Sequence, residues 1–262
     1  MKPSVREKFV WFTARYEGVV PWMYLDVKGL VTTAIGNLID PIQYALHVPF
    51  VRPDGTTAAK DEIAAEWARV KSHPTAAVQG HRVLRDATTL RLTEAGIAKL
   101  VNAKLDQNWT HLKGRFPEID SWPADAQLAT LSMAWACGPA FRFRLLEAAL
   151  RAQNFAMAAL ECKMDTRGNP GLVPRNVANK ILYRNAHAVR THDVYDPETL
   201  YYPRDLNDER TTEPELTYGT DDEPTPPPTR RAPVISDLDA FRKVYSPPPL
   251  RGQEDDDPDD AA

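Results

Sequence analysis

Glu17, Asp26 and Thr32 lie close together near the N-terminus and have the side-chain types that hydrolysis of a glycosidic bond requires. That reaction needs a protonated carboxyl to give a proton to the leaving oxygen, and an ionised carboxylate to activate water or attack the sugar. Glu17 precedes apolar Val19 and Val20, a setting suited to a proton donor. Asp26 is then the candidate carboxylate, and the hydroxyl of Thr32 is a candidate to hold the water.

The residues before this constellation predict a helix. Apolar residues recur at spacings of four, three and four from Val5 to Tyr16, which gives one apolar helix face. Ser4-x-x-Glu7 predicts a capping box at the start of the helix. Gly18 is a natural stop at its end, so the helix finishes at the candidate proton donor.

The residues after the helix predict a β-hairpin. Residues 22–25 and 30–35 have strand character and are joined by a tight turn that contains a glycine. Asp26 stands at the entrance of that turn, and Thr32 on the returning strand. Because neighbouring strand residues face opposite sides, only one of Thr32 and Thr33 can line a cleft, and the spacing favours Thr32.

The remainder of the first 190 residues predicts a mostly helical body. The run at 125–138 is apolar nearly all round, as expected of a buried central helix. Residues 40–57 resemble a loop, and 74–90 show no clear period. Helices are expected at 58–73, from Thr93 to about 109, and at 125–138, 141–151, 154–164 and 173–189.

Composition excludes several classes of protein. No apolar run of the 262 residues approaches the ~18 that a membrane helix needs, and the N-terminus lacks the pattern of a signal peptide. We therefore expect synthesis in the cytoplasm and no membrane insertion. Cys137 and Cys162 are expected to be reduced thiols. The six histidines show no metal-ligand spacing, so neither a metal nor a cofactor is predicted.

Charge divides the chain into two regions. Residues 1–190 carry 25 Lys and Arg against 17 Asp and Glu, whereas residues 191–262 carry 7 against 19. The second region also holds twelve of the 23 prolines, so we predict a largely disordered acidic tail, with one short docking helix at 236–245. The basic first region favours a polyanionic target, either nucleic acid or an acidic cell wall.

The whole pattern around the constellation, E-G-x5-Y-x-D-x2-G-x2-T-x3-G from Glu17 to Gly36, resembles the phage-type lysozymes, glycoside hydrolase family 24. The resemblance implies that Glu17 is the general acid, and that Asp26 and Thr32 bind the attacking water with inversion at the sugar. It also implies a lysozyme-like α+β fold, mainly α, in which a small N-terminal lobe with a β-hairpin faces a larger helical lobe across a cleft.

The resemblance covers roughly residues 5–190. Residues 92–109 look like the family's helix into the larger lobe, and 131–138 like its central helix. The segment G-L-x-x-R ends at Arg175, which by the resemblance pairs with the general acid. Arg167, in the preceding loop, is a weaker candidate for substrate contact.

Other positions support the site or depart from the family's pattern. Tyr24 belongs to the motif, whereas Trp135 is expected in the core rather than as a sugar platform. Ala34 stands where the family usually has glycine, and Asn37 where it often has histidine, which removes an ion pair. The insert at 40–90 is longer than usual.

The resemblance implies a monomeric muramidase that cleaves peptidoglycan between N-acetylmuramic acid and N-acetylglucosamine, without a cofactor and without a nucleic-acid partner. Two roles are open: a phage endolysin released by a holin, or an antibacterial effector, of the type VI kind for example, that is paired with an immunity protein. The acidic tail is most simply a solubilising linker, and the alternative is a contact with a delivery or immunity protein. The alternatives are a non-catalytic wall-binding or virion structural module, and a chitinase or chitosanase.

Overall fold

The computed structural model describes residues 1–73, 79–167 and 169–207. Over these residues the chain is mostly helical and carries a small antiparallel sheet near its N-terminus. The prediction of an α+β, mainly α, architecture is confirmed at this level. Residues 208–262 of the predicted tail, with the expected docking helix at 236–245, lie outside the described residues.

The longer helices follow the predicted order, but the helix that begins after Thr93 runs to Arg115, past its predicted end near 109, and the short helix Ile42–Ala45 lies in the segment predicted as a loop. Two short 3₁₀ helices, His81–Leu84 and Pro117–Ser121, join longer elements. Among the described residues, none of the helices has both the length and the apolar character needed to cross a bilayer. The α-helices are α1 (Pro3–Glu17), α2 (Ile42–Ala45), α3 (Lys60–Lys71), α4 (Glu94–Arg115), α5 (Ala124–Cys137), α6 (Arg144–Arg151), α7 (Phe155–Glu161) and α8 (Leu172–Thr191).

The predicted hairpin is present and has one more strand than expected. Strands β1 (Val20–Leu25) and β2 (Val31–Ala34) are antiparallel, and a two-residue strand β3 (Asn37–Leu38) pairs with the other edge of β2. A second small sheet, which the sequence did not predict, joins β4 (Phe50–Val51) to β5 (Arg91–Leu92). This pairing brings together the two ends of the 40–90 insert.

Helix α5 (Ala124–Cys137) forms the centre of the core, as its all-round apolar sequence predicts. Every residue from Ala124 to Trp135 is buried, and the helix packs against α8 and α1. A helix without a polar face must be covered on all sides. The catalytic candidates at the end of α1 are therefore attached to the most buried part of the molecule.

The start of α1 differs from its predicted cap. Ser4 lies inside the helix, no side chain caps the N-terminus, and the Ser4 hydroxyl donates to the carbonyl of Glu198 at 2.6 Å. The capping-box prediction is therefore wrong, because a distant segment competes for that hydroxyl. Thr93 does cap α4 (Glu94–Arg115), where its Oγ1 accepts from the N–H of Gly96 at 3.0 Å.

Residues 192–207, here called the C-terminal strap, return across the helical body. The carbonyl of Pro197 accepts from the N–H of Ala124 at 3.0 Å. Buried Asp125 accepts the N–H groups of Tyr201 and Tyr202 at 2.9 and 3.0 Å. The folded body therefore extends to residue 207, past the boundary at 190 that composition suggested.

Candidate active site

Glu17 is the last residue of α1, and Gly18 turns the chain away from the helix. Gly18 adopts φ 73° and its N–H closes the helix on the carbonyl of Ala14 at 3.0 Å. A left-handed residue at this point is common at helix ends and suits glycine. The Glu17 side chain is 29% exposed, so the carboxyl lies at the surface of the core and is open to solvent.

Arg175 on α8 (Leu172–Thr191) contacts the Glu17 carboxyl from the side of the core. Its Nη2 lies 2.7 Å from Oε1 of Glu17, without the alignment of a hydrogen bond, so the contact is an ion pair. The Arg175 side chain is 1% exposed and its guanidinium carbon lies 5.1 Å from the ring centroid of Tyr16. Glu17 is the acid that neutralises this buried charge among the described residues.

Asp26 occupies the turn between β1 and β2, as the hairpin predicts. Its Oδ1 accepts the N–H groups of Lys28 at 2.8 Å and Leu30 at 2.9 Å, and Gly29 supplies φ 72°. These bonds fix the direction of the carboxylate. Among the described residues no donor lies within hydrogen-bond distance of its second oxygen, Oδ2, which is left for a ligand or solvent.

Thr32 and Tyr24 share the sheet face that belongs to the site. They are directly opposite in the β1–β2 register, and directly opposite residues of an antiparallel pair project from the same face. Leu38, which pairs with Thr32 from β3, is 48% exposed, but Thr32 itself is 4% exposed and its hydroxyl donates to the carbonyl of Leu30 at 3.2 Å. Thr33 is fully buried on the other face and donates to the carbonyl of Val20 at 3.4 Å.

Tyr24 lies within electrostatic reach of both candidate carboxyls. Burial raises the pKa of its phenol well above the usual range, and the negative charges of Glu17 and Asp26 raise it further. The side chain therefore remains an uncharged O–H group at neutral pH. Tyr24 therefore lies close to the end of α1, to the turn that carries Asp26 and to the face of the sheet that carries Thr32.

Lys104 is a neighbour of Glu17 that the sequence did not predict. Its Nζ donates to the carbonyl of Gly36 at 3.1 Å and lies 4.4 Å from the ring centroid of Trp135. Burial lowers its pKa, and the negative charge of Glu17 partly opposes that shift. The sequence does contain one indication of this role. Lys104 lies on the same face of α4 as the buried Val101, and a lysine is unusual on such a face.

The other predicted site residues occupy three different environments. Trp135 belongs to the core, as expected, since it is buried and donates from Nε1 to the carbonyl of Ile35 at 3.1 Å. Asn37 donates to the carbonyl of Leu100 at 3.4 Å, and its buried Oδ1 has no partner among the described residues. Arg167 is 91% exposed and is paired with Asp165 at 2.7 Å, not with Glu17.

A pocket of about 120 Å³ opens beside Glu17. It is lined by Tyr16, Glu17, Ala136, Asn169, Gly171, Leu172 and Arg175. A larger cavity of about 350 Å³ lies beneath the C-terminal strap, lined by Ser121, Pro123, Gln153, Val189, Arg190 and Pro197. The larger cavity has no carboxyl in its lining, whereas the smaller pocket has that of Glu17; Asp26 and Thr32 are not among the residues that line it.

The described residues contain no cluster of three or more His, Cys, Asp or Glu side chains able to hold a metal ion. Both cysteines are free thiols: Cys162 is buried, and Cys137 at the end of α5 is exposed.

Comparison of the chain with models of known protein families found no match. Comparison with curated proteins likewise found no significant similarity.

Proposed function

We propose that the chain is a muramidase, which hydrolyses the β-1,4 bond between N-acetylmuramic acid and N-acetylglucosamine in peptidoglycan. The observation that carries this proposal is the contact of Glu17, at the end of α1, with the buried guanidinium of Arg175 from α8. The E-G-x5-Y-x-D-x2-G-x2-T-x3-G pattern supports the same reading. We infer that the small sheet and the helical body are the two lobes of a lysozyme-like fold, with the site at their junction.

Glu17 is the proton donor in this proposal. In the protonated state its carboxyl gives a proton to the glycosidic oxygen as the bond to the sugar breaks. Arg175 fixes the direction of the carboxyl from the core side and stabilises the carboxylate that remains after the transfer. The partial exposure of Glu17 leaves its other side available to a polysaccharide chain.

Asp26 and Thr32 act on the attacking water in this proposal. The free Oδ2 of Asp26 accepts a proton from water, while Oδ1 remains held by the turn. The hydroxyl oxygen of Thr32, which donates to the carbonyl of Leu30, accepts a hydrogen bond from the same water. Attack from the side opposite to the leaving group inverts the sugar, which requires ~6.5–9.5 Å between the two carboxyl groups.

A bacteriolytic role follows from this chemistry, as an endolysin or as an antibacterial effector acting on the cell wall. The two roles differ in the need for an immunity protein. We expect periplasmic expression of the chain to lyse the cell, and only an effector to be neutralised by a protein encoded next to it. The acidic region from 208 to 262 is the candidate segment for a delivery or immunity partner.

The test is digestion of purified peptidoglycan by the wild type and by Glu17→Gln, with turbidity and new reducing ends as readouts. Glu118→Gln is the matched control, because Glu118 is an exposed glutamate remote in sequence from the site. We expect reducing ends from the wild type and the control but not from Glu17→Gln. Equal release by Glu17→Gln would exclude Glu17 as the acid.

The same assay separates the alternatives. Wall binding without reducing ends from the wild type would point to a non-catalytic binding module. Faster hydrolysis of soluble chitin oligomers than of peptidoglycan would point to a chitinase, because the acid–base pair serves either polysaccharide.

A further inference from the structure

The turn between β2 and β3 is fastened to the helical body by donors from two helices. Trp135 of α5 donates from Nε1 to the carbonyl of Ile35 at 3.1 Å, and Lys104 of α4 donates to the carbonyl of Gly36 at 3.1 Å. Two residues with positive φ lie here, Ala34 at 54°, the last residue of β2, and Gly36 at 70° in the turn. A non-glycine residue in this region is strained, so the fastening maintains a backbone that would otherwise relax.

The turn between β2 and β3 lies close to the carboxyl of Glu17, the proposed general acid. A Cβ built on Gly36 would lie 3.5 Å from Oε2 of Glu17 and 4.0 Å from Nε1 of Trp135. Oε1 of the same carboxyl faces Arg175. The carboxyl of Glu17 is therefore held between the arginine on one side and the turn on the other.

Lys104 is the charged member of this arrangement. Among the described residues no carboxylate lies within ion-pair distance of its Nζ, which instead contacts the Gly36 carbonyl and the face of Trp135. Glu17 of α1 is the acidic group whose charge acts on it. A half-buried ammonium without a direct acidic partner is costly, which favours a functional reason for its place.

We propose that Lys104 is a positioning residue for the general acid Glu17, acting through the β2–β3 turn and through its positive charge; this inference rests on the proposed function. The ammonium, with the Trp135 indole, keeps Gly36 against Oε2 of Glu17. Its charge favours the carboxylate that Glu17 becomes after it gives up the proton. The residue contacts neither sugar nor water in this scheme.

The test is the kcat and KM of peptidoglycan hydrolysis for Lys104→Met and Lys104→Arg, each measured in the full chain. Lys99→Met is the matched control, because Lys99 is exposed on the same helix, α4. Lys104→Met removes both donor and charge, so we expect kcat to fall roughly tenfold or more with KM changed by less than about twofold.

Two comparisons separate positioning from simple structural damage. Lys104→Arg keeps the charge and the donors, so most of the kcat should return. Trp135→Phe removes one donor to the turn but keeps an aromatic ring beside the charge of Lys104, so kcat should fall less than in Lys104→Met. Circular dichroism and thermal unfolding establish that each variant is folded.

The outcomes distinguish this inference from the proposed function. If Lys104→Met matches Lys99→Met in kcat and in KM while Glu17→Gln is inactive, the positioning role is wrong and the muramidase proposal stands. If Lys104→Arg is as inactive as Lys104→Met, with both folded, the charge and donor are not what matters and the inference also falls. A wild type that releases no reducing ends overturns the proposed function and this inference with it.

Discussion

Arg175 is almost fully buried while its ionic partner Glu17 is partly open to solvent, so the two halves of this ion pair have different consequences when they are removed. The guanidinium also lies against the ring of Tyr16, and its Nε and Nη1 have no partner among the described residues. Loss of Glu17 leaves the buried positive charge of Arg175 without an ionic partner among the described residues. Loss of Arg175 leaves a carboxylate that can turn toward water.

This asymmetry predicts different stabilities for two inactive variants. We expect Glu17→Leu to lower the free energy of unfolding by about 2–3 kcal/mol, less than a fully buried pair because Glu17 is partly exposed. Arg175→Met, which replaces the guanidinium with an apolar chain, should change it by less than about 1 kcal/mol. Urea denaturation measures both. Equal destabilisation by the two variants would mean that the buried charge is not the dominant cost.

The two threonines of β2 predict a difference in activity at similar cost in stability. Both are buried and donate to a backbone carbonyl, Thr32 to Leu30 and Thr33 to Val20, but Thr32 lies on the face of Tyr24 and Thr33 on the opposite face. We expect Thr32→Ala to lose at least about tenfold in kcat because the water is no longer held. Thr33→Ala should keep its kcat, and each variant should lose about 1 kcal/mol of stability through its broken hydrogen bond. An inactive Thr33→Ala beside an active Thr32→Ala would reverse the assignment of the two faces.

Local patterns in the sequence account for much of the fold and for the position of the candidate acid. Helix periodicity located α1, α4 (Glu94–Arg115) and α5, and turn chemistry located the hairpin that carries Asp26. These features depend on residues close together in the chain. The contact of Arg175 with Glu17 was expected only from the resemblance, since nothing local to either residue predicts it.

Three of the missed features depend on contacts distant in sequence. The β4–β5 pair joins Phe50 to Leu92, and neither two-residue strand has a period of its own. Lys104 could be noticed in an apolar stripe, but its partner, the carbonyl of Gly36, is a backbone group without a sequence signature. The strap at 192–207 is attached by groups distant in sequence, among them the buried carboxyl of Asp125 and the buried amide of Asn185.

Asp125 makes the attachment of the strap sensitive to pH. Burial raises the pKa of this carboxyl to about 6, although the N–H groups of Tyr201 and Tyr202 and the amide of Asn185 act in the opposite direction. A carboxyl that binds its proton more tightly in the folded chain stabilises the fold fully below its unfolded pKa of ~3.9. That contribution, about 3 kcal/mol, is lost as the pH rises through about 6.

Asp125→Asn tests this linkage. The variant has no proton to lose. From pH 4 to pH 7 the unfolding free energy of the wild type should therefore fall by about 2–3 kcal/mol relative to that of the variant. Urea denaturation at one-unit pH intervals measures this difference and cancels the titration of other groups. A difference that stays constant over the range would show that Asp125 does not titrate as its burial indicates.

The C-terminal strap predicts where the chain can be shortened. Tyr202 packs its ring 5.4 Å from that of Phe12 and shares a hydrogen bond of 3.2 Å with the hydroxyl of Tyr16, the neighbour of Glu17. A chain that ends at Asn207 keeps these contacts, so we expect wild-type peptidoglycan hydrolysis and an unchanged Tm. A chain that ends at Arg190 uncovers Phe12 and deprives Asp125 of two donors.

We expect the chain ending at Arg190 to melt about 10 °C lower, since a loss of about 3 kcal/mol corresponds to that shift in a domain of this size. Its kcat should fall as well. Tyr16, whose ring lies against the guanidinium of Arg175, then loses its hydrogen bond with Tyr202. Thermal unfolding followed by circular dichroism compares the two truncated chains, with Tyr202→Phe as the variant that removes only the shared hydrogen bond. Equal melting of the two truncated chains would place the strap outside the cooperative fold and would restore the boundary at 190.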